Sequence, residues 1–305
     1  MKKLKLFLLV VLFGSNFSYA QQVNQISNFM YNQLYYNPAS AGMHETQVNV
    51  NVLGRIQWAS IDGAPKLGLV SADYRFPKQN MALGVNVSNY SYSKYSFSDA
   101  NANYSFFVPL NKKVKLAMGL RGGMTSLRSS IAGSKIWDES DYLTNINNYS
   151  VTLPKVGLGF QLNAPKYYVG ISVPDLYIGN TKNLPGNTST SFLNQRRNFI
   201  LMSGAKIRIN DSYNFRPGLT AFYYPATGAI VTANATFEVK DYFWIGASYS
   251  TYKAATLTTG AHLSARLRFA YSYELLTGLT KTASVGSHEI CLMIKLDNVS
   301  HAKYK

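Results

Sequence analysis

Val48-Asn49-Val50-Asn51-Val52-Leu53-Gly54-Arg55-Ile56-Gln57-Trp58 changes character at every step. Its even positions carry valine, glycine, isoleucine and tryptophan; the odd ones carry Asn49, Asn51, Leu53, Arg55 and Gln57. A period of two puts successive side chains on opposite faces of an extended chain, so the stretch predicts a β-strand with one apolar and one polar face. The pattern repeats downstream. Residues 66–76 set Gly68, Val70, Ala72, Tyr74 and Phe76 against Asp73 and Arg75. Residues 229–239 set Val231, Ala233, Ala235, Phe237 and Val239 against Thr232, Asn234, Thr236 and Glu238. Followed to the C-terminus, the alternation marks fourteen segments, roughly 44–59, 66–76, 80–90, 97–109, 113–126, 154–163, 166–174, 197–209, 213–224, 228–240, 242–252, 255–263, 266–276 and 287–297.

Charge placement and length decide what kind of sheet this is. Arg55, Asp73, Arg75, Asp99, Lys115, Arg121, Lys155, Lys206, Arg208, Arg216, Glu238, Arg266, Arg268, Glu274, Glu289 and Lys295 all fall on the polar parity of their segments. A charge facing lipid at mid-bilayer costs about 2–4 kcal/mol, so a lipid-facing surface should lack them. Segment lengths match a tilted membrane strand of about 9–11 residues plus overhang, whereas soluble strands peak near 5–6. Fourteen is also even, as in single-chain bacterial outer-membrane barrels. The predicted fold class is all-β, a transmembrane antiparallel β-barrel of about 14 strands with a short N-terminal periplasmic plug segment.

Connections supply an orientation. One set of strand ends is joined by tight turns at 77–80, 110–112, 163–165, 210–212, 240–241 and 264–265. The other set includes longer loops at 127–153, 175–196 and 277–286. Short periplasmic turns and longer surface loops are the asymmetry of outer-membrane barrels. Pro217 interrupts the ninth segment, where a bulge or local distortion is expected.

Composition agrees. Of 305 residues only 14% are charged, 14% are aromatic, and 23 are tyrosine. Past the N-terminus no run is long and apolar enough for a membrane helix. A single cysteine, Cys291, removes disulfide frameworks and cysteine-based zinc sites. Residues 1–20 read as a signal peptide: Lys2, Lys3 and Lys5, an apolar stretch from Leu6 to Phe13, then Ser18-Tyr19-Ala20 before Gln21. Residues 21–43 form the N-terminal periplasmic segment, 44–297 the barrel and 298–305 a short tail. Within the N-terminal segment Ile26, Phe29, Met30, Gln33 and Leu34 share a helical face that Asn37-Pro38 ends. This predicts a short helix or irregular plug in the periplasmic mouth.

Little in the sequence carries catalytic chemistry. His44, His262, His288 and His301 are the histidines. His288-Glu289 lacks the second histidine one turn on that a zinc-protease helix needs, so no metal is expected. His262 and His288 fall at opposite barrel ends, a poor base for a shared nucleophile. Gly119-Leu120-Arg121-Gly122-Gly123 is strand glycine rather than a phosphate cradle, and no cofactor is expected. The net charge of +16 is spread over lumen positions and turns without stacking aromatics, which argues against nucleic acid. The sequence does not read as an enzyme.

Three stretches stand out: Tyr36-Asn37-Pro38-Ala39-Ser40-Ala41-Gly42; then Arg55-Ile56-Gln57-Trp58 with Gly63-Ala64-Pro65 and Tyr74-Arg75-Phe76-Pro77; and finally Tyr271-Ser272-Tyr273-Glu274 with Gly286-Ser287-His288-Glu289-Ile290. Together they resemble the PorP/SprF family. The resemblance implies an outer-membrane barrel of the Type IX secretion system, an accessory to the translocon in the core apparatus or paired with a surface adhesin. Its implied partners are the outer-membrane lipid bilayer, Type IX components and a secreted surface protein with a C-terminal cargo domain.

Read physically, Asn37, Pro38 and Gly42 make a turn into the first strand. Trp58 belongs to an aromatic girdle on the lipid parity, and Gly63 and Pro65 shape the first surface loop. Arg55 and Gln57 face inward, to clamp the plug, to pair with Glu274 or Glu289, or to contact cargo. Tyr271, Tyr273 and His288 complete the set. Trp137-Asp138-Glu139-Ser140-Asp141-Tyr142 is the most acidic stretch. Two functions follow: a non-enzymatic barrel assisting secretion or anchoring of cargo such as a gliding adhesin, or an outer-membrane channel for small or hydrophobic solutes. Inward Phe107, Tyr168, Phe222, Tyr224, Tyr242 and Trp244 favour a blocked lumen and hence the first.

Overall fold

The computed structural model describes residues 25–44, 46–130, 148–179, 198–225, 228–240, 242–277 and 284–296. Fourteen antiparallel strands follow one another in a closed meander. They are β1 (Val48–Ile56), β2 (Lys66–Phe76), β3 (Met81–Tyr92), β4 (Tyr95–Pro109), β5 (Lys115–Ser130), β6 (Asn148–Asn163) and β7 (Tyr167–Ile178). Then come β8 (Phe199–Ala205, resumed as Ile207–Arg208), β9 (Tyr213–Tyr224), β10 (Gly228–Val239), β11 (Phe243–Ser250), β12 (Ala254–His262), β13 (Leu267–Leu276) and β14 (Ser287–Leu296). β1 pairs with β2 on one side and β14 on the other, so the sheet has no free edge. Closure leaves no strand without neighbours on both sides, the condition for crossing lipid with strands.

Alternation becomes an inside-out pattern of burial. Arg55, Asp73, Asp99, Arg121, Lys155, Glu238, Glu274 and Glu289 are buried in the lumen. Val52, Val70, Val85, Leu120, Ile171, Phe237, Ile245 and Ile290 stand exposed on the outer wall. An apolar surface that runs right round the molecule has no soluble explanation; hydrocarbon is its solvent. We therefore expect a heat-modifiable protein. Unboiled in mild detergent it should migrate differently on a gel from the boiled sample, because a closed ladder in lipid or detergent unfolds only at high temperature. A single band under both conditions would contradict the barrel.

Three irregularities refine the sequence reading. Pro217 points outward and keeps register with Ala235 on β10. The distortion lies on its other side, where β8 breaks at Lys206 between the pairs Gly218–Gly204 and Phe215–Ile207. Proline has no N–H to offer that neighbour. A true register shift falls between Val156 and Leu158, opposite Pro174. That bulge places Pro174 and Asp175 consecutively inside, and Asp175 thereby reaches Lys155 at 3.0 Å.

Some sequence expectations need correction. β5 continues to Ser130 and β6 begins at Asn148, with Leu127 and Leu153 buried, so residues 127–130 and 148–153 of the loop expected over 127–153 are strand instead. β7 likewise runs to Ile178. Tyr242 was expected inside but is 67% exposed in a turn, and Arg266 also sits exposed in a turn. Each stands one residue ahead of its strand, where parity carries no meaning. Trp58 has left β1: its φ of 54° is left-handed, and its N–H donates to Ser287 Oγ at 3.3 Å. The predicted signal peptide, the tail and the acidic stretch at 137–142 lie outside the described residues.

Candidate functional site

The lumen is occupied by residues 25–43. This segment is a chain of short turns, a 3-10 turn at Phe29–Tyr31, a four-residue helix at Gln33–Tyr36 and a second 3-10 turn at Pro38–Ser40. None would be stable alone, since isolated helices of this length are marginal in water. Their stability comes from the barrel wall. Ile26, Phe29 and Tyr36 pack with Leu53, Leu67, Leu69, Ile200, Met202, Phe222, Trp244 and Met293. Leu34, Ala39 and Ala41 pack with Ala82, Phe107 and Ala117. A barrel interior thus becomes an apolar core on one side of the segment and a polar network on the other.

The segment spans much of the barrel's height, more than the mouth-filling role expected from sequence. Its start lies near the ends of the strands that carry the longer loops. There Glu289 accepts from the backbone N–H groups of Ser27 at 2.9 Å and Asn28 at 2.8 Å, and from Asn28 Nδ2 at 2.8 Å. Arg55 joins these groups, donating to Ser27 Oγ at 2.9 Å and lying 2.8 Å from Glu274 and 3.3 Å from Glu289. Tyr252, in the turn between β11 and β12, donates its hydroxyl to Glu274. Burial pushes the Tyr252 hydroxyl above its usual range, and the neighbouring Glu274 carboxylate raises it further. One arginine, two carboxylates and the plug backbone therefore make a single buried latch.

Farther down, Arg121 donates to the carbonyls of Leu34 at 2.5 Å and Tyr35 at 3.0 Å. These are carbonyls of the short helix that its own turns leave unpaired, which a cation suits. The sequence placed Arg121 in the lumen, but nothing local marked it as a helix partner. Asn37 caps the next turn by accepting from Ala39 N–H at 2.9 Å, and its amide donates to Phe160 O at 3.2 Å. Gly119 faces this point. A Cβ there would lie 2.1 Å from Ala39 N, so only glycine lets the plug backbone approach the wall.

The segment leaves at the tight-turn end. Gly42 has a φ of +67°, and its N–H donates to Asp73 Oδ2 at 2.9 Å before the chain turns up into β1. Asn37, Pro38 and Gly42 thus run inside the lumen and do more than form a turn outside it. The remaining singled-out residues divide between two places. Gln57 N–H donates to Pro65 O at 2.8 Å, and Gly63, with a φ of +69°, accepts from Ser93 N–H at 2.8 Å, which folds the first loop over the rim. Tyr271, Tyr273 and His288 lie on the outer wall, with Tyr271 Oη 2.7 Å from His288 Nδ1. Glu274 and Glu289 of the same two strands face the latch. A second buried cluster, Lys155 between Asp99 at 2.9 Å and Asp175 at 3.0 Å, braces the opposite wall. Among the described residues no group of histidine, cysteine and carboxylate side chains is arranged to hold a metal.

Over residues 18–294 the sequence matches the family described as Type IX secretion system membrane protein PorP/SprF. The chain belongs to the PorP/SprF family. Among curated proteins none matches. Among solved structures, the CymD monoaromatic hydrocarbon channel is similar with a TM-score of 0.52 at 11% identity, over 88% of this chain and 93% of that one. The Ralstonia pickettii toluene transporter TbuX is similar with a TM-score of 0.50 at 12% identity, over 86% and 93%. At such identities the similarity is one of barrel architecture. Family and fold together make this PorP/SprF protein an outer-membrane barrel in a Type IX secretion context.

Proposed function

We propose that this PorP/SprF barrel works without turnover, assisting the secretion or surface anchoring of a cargo protein such as a gliding adhesin. The tight turns face the periplasm and the longer loops face the cell surface. The observation that carries the reading is the occupied lumen: a segment tied to the wall by buried ion pairs, backbone hydrogen bonds and two apolar clusters takes up space that a solute channel would need. What remains for partners is the two rims. Loops on a rigid scaffold are the usual carriers of recognition, and loop trimming there costs few packing contacts.

Shortening residues 131–147 and 180–197 to brief linkers should leave a heat-modifiable barrel in the outer membrane while adhesin display or gliding is lost. Cutting as far as 127–153 would remove paired strand residues and confuse the result. Normal display by the double-trimmed protein would move the contact to the periplasmic rim. Saturable uptake of a hydrophobic solute by the intact protein would favour a channel instead.

A further inference from the structure

The tight-turn end carries an unusual charge. Exposed on its rim stand Lys78, Lys112, Lys113, Lys240 and Arg266, and the one exposed carboxylate there among the described residues, Asp211, is already paired with Arg208. Beside the plug the rim opens into a cavity of about 270 Å³. Lys166, Lys206, Arg216, Arg268 and Lys295 line it, and Glu238, its only described acid, is bound to Arg216 at 2.8 Å. Arg268 makes no ion pair among the described residues. The cavity's inner wall is Phe29 and Met30 of the plug with Tyr168 of β7.

We propose that this mouth is a docking site for an acidic, extended peptide segment of a soluble partner protein, whose carboxylates meet Arg268 and Lys295 and whose apolar side chains meet Phe29 and Met30. Cations crowded in a cleft with low-dielectric walls focus potential on an incoming anion. Arg216, Arg268 and Lys295 lie on the inward parity of their strands, behind a wall whose outer face meets the bilayer. Lipid headgroups in the surrounding leaflet reach the rim lysines but not this interior, which favours a peptide entering from solution. The inference goes beyond the delivery role and rests on it only for the compartment, the periplasm.

Purified barrel in phosphatidylcholine nanodiscs exposes both rims, so the test stands apart from any display assay. A fluorescein-labelled decaglutamate peptide should bind, and binding should vanish at high salt as surface electrostatics are screened. Arg268→Gln with Lys295→Gln should weaken it roughly tenfold or more, about 1.4 kcal/mol per factor of ten. Lys66→Gln with Lys94→Gln, at the other rim, should not. Should the first pair fail to give a heat-modifiable band, the exposed pair Lys166→Gln with Lys206→Gln serves in its place, with the same expected direction. Equal binding by mouth and control variants would overturn the proposal. So would loss of binding when phosphatidylglycerol is added to the disc, or full displacement by millimolar inorganic phosphate, which would mark a headgroup or small-anion site.

Discussion

Deleting residues 25–43 should convert an electrically silent barrel into an open one. In planar bilayers the intact protein is expected to pass little steady current, because Ile26, Phe29, Leu34 and Tyr36 fill the space that a porin leaves to water. The fourteen-strand ladder makes its hydrogen bonds without the plug, so the wall should still insert. Conductance should then rise roughly tenfold or more, and the reversal potential in a salt gradient should show anion preference, since the ring of cations at the turn end dominates the mouth. Glu289→Ala is the milder version. It removes the acceptor of the Ser27 and Asn28 N–H groups and should produce intermittent openings rather than a permanent pore. A silent bilayer with the deleted protein, verified as heat-modifiable, would mean that residues 25–43 are not what closes the lumen. Large steady channels from the intact protein would mean that nothing closes it.

How much of this could be seen beforehand depends on the range of the interaction that decides each feature. Which face of β1 meets lipid is written in Val50, Val52 and Ile56 themselves, because a strand's period is local and needs no knowledge of neighbours. The same holds for the buried charges on β2, β4, β5 and β6. Asp175 shows where locality ends: it faces inward because of the bulge beside Pro174, and only the paired strand reveals that shift. Tyr242 and Arg266 differ for the related reason that each stands one residue ahead of its strand, outside the reach of alternation. The latch was half legible, since Arg55, Glu274 and Glu289 share inward parity on adjacent strands. That Ser27 and Asn28 complete it, and that Arg121 holds the short helix, was not legible. Those contacts join residues far apart in sequence, and the plug has no periodicity of its own strong enough to announce a fold. Gly119 reads in sequence as strand glycine with backbone room; the structure adds that Ala39 is what fills the room.

The latch makes the second large effect a matter of stability. Arg55 is 4% exposed, Glu274 4% and Glu289 0%. Two carboxylates held together in a buried site are tolerable only with the guanidinium between them. Arg55→Met keeps the side chain's bulk and strands both anions. Breaking a buried pair from one side costs about 3–5 kcal/mol, much more than the net worth of the intact pair. The temperature at which the folded gel band is lost should fall accordingly, and the plug should become sensitive to protease at Met30 or Tyr31. Adding Glu274→Gln to Arg55→Met should recover part of the loss, because it removes one stranded charge while keeping an acceptor for Tyr252 and Ser287, both of which donate to Glu274. Arg55→Lys should fall between the two: it keeps the charge but not the planar fork that reaches Glu274, Glu289 and Ser27 at once. If Arg55→Met melts like the parent, or if Glu274→Gln makes it worse, then the carboxylates are not relying on Arg55. The plug would then be held by its apolar contacts alone.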